Sequence, residues 1–135
     1  MKVFLGGTCN ESTWREDIIP MLNYRGISFF NPVVVDWNEA AQQRELEERK
    51  NCDVVLYCIT PKMTGVYSIA EVVDDSNKRP EKTVFVVLQE DAGTSKTFDE
   101  GQKRSLEQVG KLVERNGGTY CTSLIKAVDA IVEDG

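Results

Sequence analysis

Short runs of β-branched and aromatic residues alternate along the chain with longer stretches whose apolar positions recur every three or four residues. That is the pattern of strands joined by crossover helices. Strands are predicted at residues 2–5, ended by Gly6-Gly7; at 27–30, ended by Asn31-Pro32; at 53–59, ended by Thr60-Pro61; and at 84–88. A short fifth strand is predicted at 119–121. The unbroken apolar character of 84–88 fits a strand covered on both faces.

Helices fill the intervals. Trp14, Ile18 and Leu22 fall every fourth position, and Thr13 with Glu16 has the spacing of a capping box, although Pro20 must either kink this helix or delay its start. Residues 38–50 are rich in Ala, Gln, Glu and Arg with few apolar positions, which predicts a helix with one wet face. Further helices are expected at 68–77, 102–116 and 124–132, the last with a stripe of Leu124, Ala127, Val128 and Ile131. Residues 89–101 read as a polar loop. The fold class is α/β: a flavodoxin-like doubly wound sheet of four to five parallel strands flanked by helices, in one domain over residues 1–135. Ligands of such sheets bind at the carboxyl ends of the strands. Segments 6–15, 31–37 and 60–71 are therefore where chemistry is expected.

Composition narrows that chemistry. The 135 residues are 41% hydrophobic and contain no histidine, which excludes Ser-His-Asp and Cys-His nucleophiles and any zinc site that depends on imidazole. Sixteen basic side chains against 22 acidic ones leave a net charge of -6, which argues against a polymeric nucleic-acid partner but not against a small phosphorylated ligand. No apolar run reaches the length of a membrane span, and the apolar start of the chain stops too soon for a signal peptide, so a cytoplasmic protein with no membrane partner is expected. The four cysteines form no Cys-x-x-Cys pair and read as reduced packing residues.

Within the three segments, Gly6-Gly7-Thr8-Cys9-Asn10 lets backbone approach a ligand and offers free N–H groups to an anion, or simply makes a tight turn. Arg15 reads either as a two-donor fork for a phosphate or carboxylate or as a solvated cation paired with Glu16 or Asp17. Trp14 reads as a core residue or a stacking platform, and Trp37 equally as a packing residue or as an indole that stacks on a planar base. Glu71 is an isolated carboxylate among apolar neighbours, near the amino end of a helix that would favour its ionised form and aim it into the crevice. Glu45 is its possible partner, since two carboxylates around one crevice can divide nucleophilic and proton-transfer work. Asp53 begins its strand at the opposite end and reads as structural.

These residues together resemble the nucleoside 2-deoxyribosyltransferase family, most closely its small transferase-like branch. The resemblance spans residues 2–88 and rests on Val3-Phe4-Leu5-Gly6-Gly7, Trp14-Arg15-Glu16-Asp17, Phe30-Asn31-Pro32 through Asp36-Trp37, Asn51-Cys52-Asp53-Val54-Val55-Leu56-Tyr57, and Gly65 through Glu71. It implies that Glu71 is the nucleophile, attacking C1′ of a 2-deoxyribosyl group and expelling the base to leave a deoxyribosyl ester. The family's second acid stands eight residues before the strand-three aspartate, which places Glu45 in that role with a Glu for the usual Asp. Arg15-Glu16-Asp17 is similar to the phosphate-loop Arg-Glu-Asp of deoxynucleoside 5′-monophosphate N-glycosidases.

In such a reaction Trp14 and Trp37 would hold the base, and Gly6, Gly7, Thr8 and Asn10 would line the sugar or phosphate end. Glu45 or Asp36 would protonate the leaving base. Val3 and Phe4 stand in the region of the family's strand-one tyrosine. Gly65 replaces an Asp or Ser, with Thr64 and Ser68 as substitutes. By analogy with retaining glycosidases the paired acids are expected about 5 Å apart. No metal and no cofactor is implied; a nucleoside or nucleotide partner and a homo-oligomer are. Two function classes follow: an enzyme acting on N-glycosidic bonds, or a nucleotide-binding or assembly module that keeps the crevice without turnover.

Overall fold

The computed structural model describes residues 1–9, 11–34, 36–92 and 94–134. Five parallel strands, β1 (Lys2–Gly7), β2 (Ser28–Phe30), β3 (Val54–Ile59), β4 (Thr83–Val87) and β5 (Thr119–Cys121), form one sheet in the order β2-β1-β3-β4-β5. This is the doubly wound, flavodoxin-like order. The helices are α1 (Trp14–Tyr24), α2 (Glu39–Asn51), α3 (Tyr67–Lys78), α4 (Glu100–Arg115) and α5 (Leu124–Asp134), with a short 3-10 turn at Pro80–Lys82.

Alternation along each strand divides the core into two layers. Val3, Leu5, Val54, Leu56, Cys58, Val84 and Val86 face α1 and α5, where Trp14, Ile18, Leu22, Ala127, Val128 and Ile131 cover them. Phe4, Val55, Tyr57, Ile59, Phe85 and Val87 face the other way, against Val72 of α3 and Leu106 and Val113 of α4. Cys52, Cys58 and Cys121 are buried free thiols, and Cys9 is exposed. Asp53 ties the strand starts together, accepting from the Lys2 N–H at 2.7 Å and donating its own N–H to the Lys2 carbonyl. The polar loop after β4 is pinned at Asp91, which is buried and accepts from the hydroxyls of Ser12 and Thr60. Among the described residues no helix is long and apolar enough to cross a membrane.

Two local expectations are corrected. Thr13 precedes α1 with φ -100° and ψ 8°, outside the extended region in which a cap hydroxyl reaches the free N–H groups, and it makes no capping hydrogen bond. Pro20 neither delays nor ends α1, because it stands on an exposed flank and Glu16, whose carbonyl loses its partner, is exposed too. The capping box lies instead at α4: Asp99 Oδ1 accepts from the Gln102 N–H at 2.8 Å, and Gln102 Oε1 accepts from the Asp99 N–H at 2.9 Å. Asp99→Ala should therefore cost about 1 kcal/mol, whereas Thr13→Ala should cost less than half of that. Urea unfolding of both variants checks this, and equal losses would contradict it.

Candidate functional site

In this strand order the crossovers leave β1 and β3 in opposite directions, and the crevice between their carboxyl ends is the topological switch point. A cavity of about 430 Å³ opens there. Its walls come from the end of β1, the segment after β2, one face of α2, and the loop and first turns of α3. Glu71 and Glu45 both line it, as do Gly6, Gly7, Thr8, Arg15, Trp37, Gly65 and Ser68.

Glu71 stands in the second turn of α3, its side chain only 15% exposed. The field of a helix amino terminus fades within the first turn, so it does not hold this carboxylate ionised as expected from sequence. Burial dominates and raises the carboxyl; Arg49 opposes the rise, while Glu45, Asp75 and Asp74 add to it, and the pKa is pushed up to about 7. The cation in contact is Arg49, whose Nη1 lies 3.3 Å from Glu71 Oε2.

Arg49 is the one buried residue of α2. Its Nε donates to Asp75 Oδ2 at 3.2 Å and its Nη2 to Asp75 Oδ1 at 3.1 Å, with Asp74 Oδ2 3.2 Å from the same Nη2. Asp75, fully buried, also accepts from the Tyr57 hydroxyl at 2.6 Å and from Arg79 Nη1. Burial works to lower the Arg49 pKa, but the hydrogen bonds of Asp75 and the surrounding negative charge outweigh it, and the guanidinium is held firmly protonated. Neither Arg49 nor Asp75 was singled out from sequence. A signal was present, since Glu45 with Arg49 and Glu71 with Asp75 are both four apart, so each pair shares a helix face.

Glu45 is held from the mouth of the crevice, where the Trp37 indole N–H donates to its Oε2 at 3.1 Å. Trp37 is 60% exposed, so its ring is tethered at the indole N–H while most of the side chain stays open to solvent. Gly65 leaves open space in the cavity wall, for a Cβ there would meet nothing within 4 Å.

Several expected binding residues have other work. Trp14 is a core residue, 1% exposed, with its indole N–H on the Thr8 carbonyl at 2.8 Å, and it is absent from the cavity wall. Arg15, 6% exposed, lies 4.5 Å over the Trp14 ring and donates to the carbonyls of Leu5, Thr8 and Gly7 at 3.1, 2.7 and 3.4 Å. It is not paired with Glu16 or Asp17; it clamps the loop after β1 and places a buried positive charge at the cavity wall. Burial is the main reason its pKa is lowered. Thr8 is likewise engaged, its Oγ1 accepting from the Thr60 N–H at 3.0 Å. Gly7, with φ +118°, is required by the sheet, because a Cβ would fall 2.0 Å from the Cys58 carbonyl oxygen on β3. Asp36 is exposed and off the wall, so it is not placed to protonate a bound base. Asn10 lies outside the described residues. The exposed Cys9 thiol lines the cavity and was missed as a wall residue.

The raised Glu71 pKa carries a stability consequence. A carboxyl that binds its proton more tightly when folded than when unfolded loses stability as pH climbs from the usual carboxylate range through about 7. Glu71→Gln should remove that loss, gaining about 1–3 kcal/mol over the parent at pH 8 and nearly nothing at pH 5. Thermal unfolding at both values checks it, and an identical pH dependence in the two proteins would contradict it.

With this geometry in place, comparison with known proteins adds one finding. No curated protein matches the chain. A family model described as nucleoside 2-deoxyribosyltransferase like matches residues 1–92, which include β1 through β4 and all of the crevice walls just described. The chain belongs to the nucleoside 2-deoxyribosyltransferase-like family.

Proposed function

We propose that the crevice cleaves or exchanges the N-glycosidic bond of a deoxynucleoside or deoxynucleotide through a covalent Glu71 ester. The observation that carries this reading is a mostly buried carboxylate aimed into a switch-point cavity, with a second carboxylate and a tethered indole on the opposing wall. The cavity volume suits one small ligand.

In the reaction proposed, the base stacks on Trp37 and the sugar lies toward Glu71. A Glu71 oxygen attacks C1′ as the C1′–N bond breaks; the bond pair leaves with the base nitrogen, which takes a proton from Glu45. A second base or water then attacks C1′, the ester oxygen departs as the Glu71 carboxylate, and the acceptor's proton passes to Glu45. Oxocarbenium character at C1′ is stabilised by the adjacent carboxylate. The positive charge of Arg15 behind the β1 loop favours an anionic group at that end, which supports a 5′-phosphate as part of the ligand. A homo-oligomer and a cytoplasmic setting belong to the same proposal.

Incubation with deoxynucleosides and their 5′-monophosphates, with and without an acceptor base, should release or exchange nucleobase, read by chromatography. Glu71→Ala should reduce turnover by roughly 10⁴-fold or more, and Glu45→Gln by about 10²–10⁴-fold. Because the attacking group must be ionised, kcat/KM should climb as pH rises through about 7. Full turnover by Glu71→Ala would refute the assignment, and tight nucleotide binding without consumption would favour a binding module.

A further inference from the structure

We propose that Arg49 is the positioning residue of this crevice, pinning α2 to α3 and so holding Glu45 and Glu71 in their places across the cavity. The inference rests on the reading of those two acids as the reacting pair. Of the thirteen residues of α2, Arg49 alone is buried. The helix has other anchors, such as Lys2 Nζ at 2.9 Å from Glu48 Oε2 and Arg44 lying 5.2 Å over the Phe30 ring, but these are peripheral. Partly exposed ion pairs contribute little to holding an element in place. The docking of α2 therefore depends mainly on one guanidinium.

The way that guanidinium is held gives it direction. Nε and Nη2 grip the two oxygens of Asp75 side-on, a fork that lysine lacks. This leaves Nη1 for Glu71. Asp75 is fixed in turn by the Tyr57 hydroxyl from β3 and by Arg79, so a line of contacts runs from the central sheet to the Glu71 carboxylate. Glu45 sits one helical turn before Arg49 on the same face of α2, so the angle at which Arg49 docks sets where Glu45 stands.

The charged and titratable groups around Glu71 are Arg49 and Glu45 from α2, Asp74 and Asp75 from α3, and Tyr57 from β3. Among the described residues the cation touching Glu71 is Arg49. Losing that contact leaves the carboxylate among acids, which favours its neutral, non-nucleophilic form.

The test follows the Glu71 side-chain carboxyl carbon by ¹³C NMR across pH in wild type, Arg49→Lys and Arg49→Gln, together with base-release kinetics. Lysine keeps a cation against buried Asp75, and with it the fold, but its single ammonium cannot grip Asp75 side-on and reach Glu71 as well. In Arg49→Lys the Glu71 midpoint should rise and kcat should fall about 10–100-fold with KM little changed. Arg49→Gln should raise the midpoint further; where that variant does not fold, the lysine variant decides. A wild-type Glu71 midpoint in Arg49→Lys overturns the coupling, and a wild-type kcat overturns the positioning role. If wild-type protein releases no base from any nucleotide tried, the function proposed above fails, while the titration still decides whether Arg49 holds Glu71.

Discussion

A guanidinium shut away from water must find its counter-charges inside the protein, and Arg49 finds three carboxylates on consecutive turns of one helix. Removing the cation of such a buried cluster typically costs about 3–5 kcal/mol, because the buried carboxylate against it is left as an unpaired charge. Here Asp75, itself wholly buried and bonded to Tyr57, takes the larger share of Arg49, and Glu71 takes the remaining arm. The polar helix α2 has almost no apolar face with which to dock, so this ion cluster does for α2 what side-chain packing does for the other helices.

That arrangement explains why the site's acid is poised near neutrality. Arg49 is divided among three carboxylates, so it offsets only part of the cost of burying Glu71, and Glu45 across the cavity adds repulsion. With that acid raised to about 7, the anion that the proposed attack requires is the main form only above neutral pH. The other buried cation, Arg15, works in the opposite manner. It is held by backbone carbonyls and shapes the loop after β1, so its positive charge stands in a fixed place at the cavity wall.

The fold was legible because strands and helices announce themselves in patterns that depend on neighbours in sequence. The apolar runs of β3 and β4 predict burial on both faces, and Gly6-Gly7 marks the end of β1. Glu71 was legible as a wall residue because switch-point geometry follows from strand order, whereas Glu45, outside the segments that order picks out, was reached only through the family's spacing from Asp53. What remained hidden depends on contacts distant in sequence. Trp14 beside Arg15 looks like a binding pair until the Thr8 carbonyl is seen to take a hydrogen bond from each. Arg49 looks like one of several charges on a solvated helix until Asp75, 26 residues later, is folded beneath it. Thr13 and Asp99 have the same cap-like spacing to their partners, and only backbone angles separate the false cap from the real one.

The proposed reaction turns on one carboxylate of the cavity, and the covalent chemistry proposed for it can be read directly. Protein mixed with a deoxynucleotide, quenched in acid during turnover and digested, can be searched by mass spectrometry for a deoxyribosyl group on the peptide that contains Glu71. The account predicts that adduct, present with the parent protein and absent with Glu71→Gln. Base release with the group on another residue, or with no adduct on a quench fast enough to capture the burst, would contradict it.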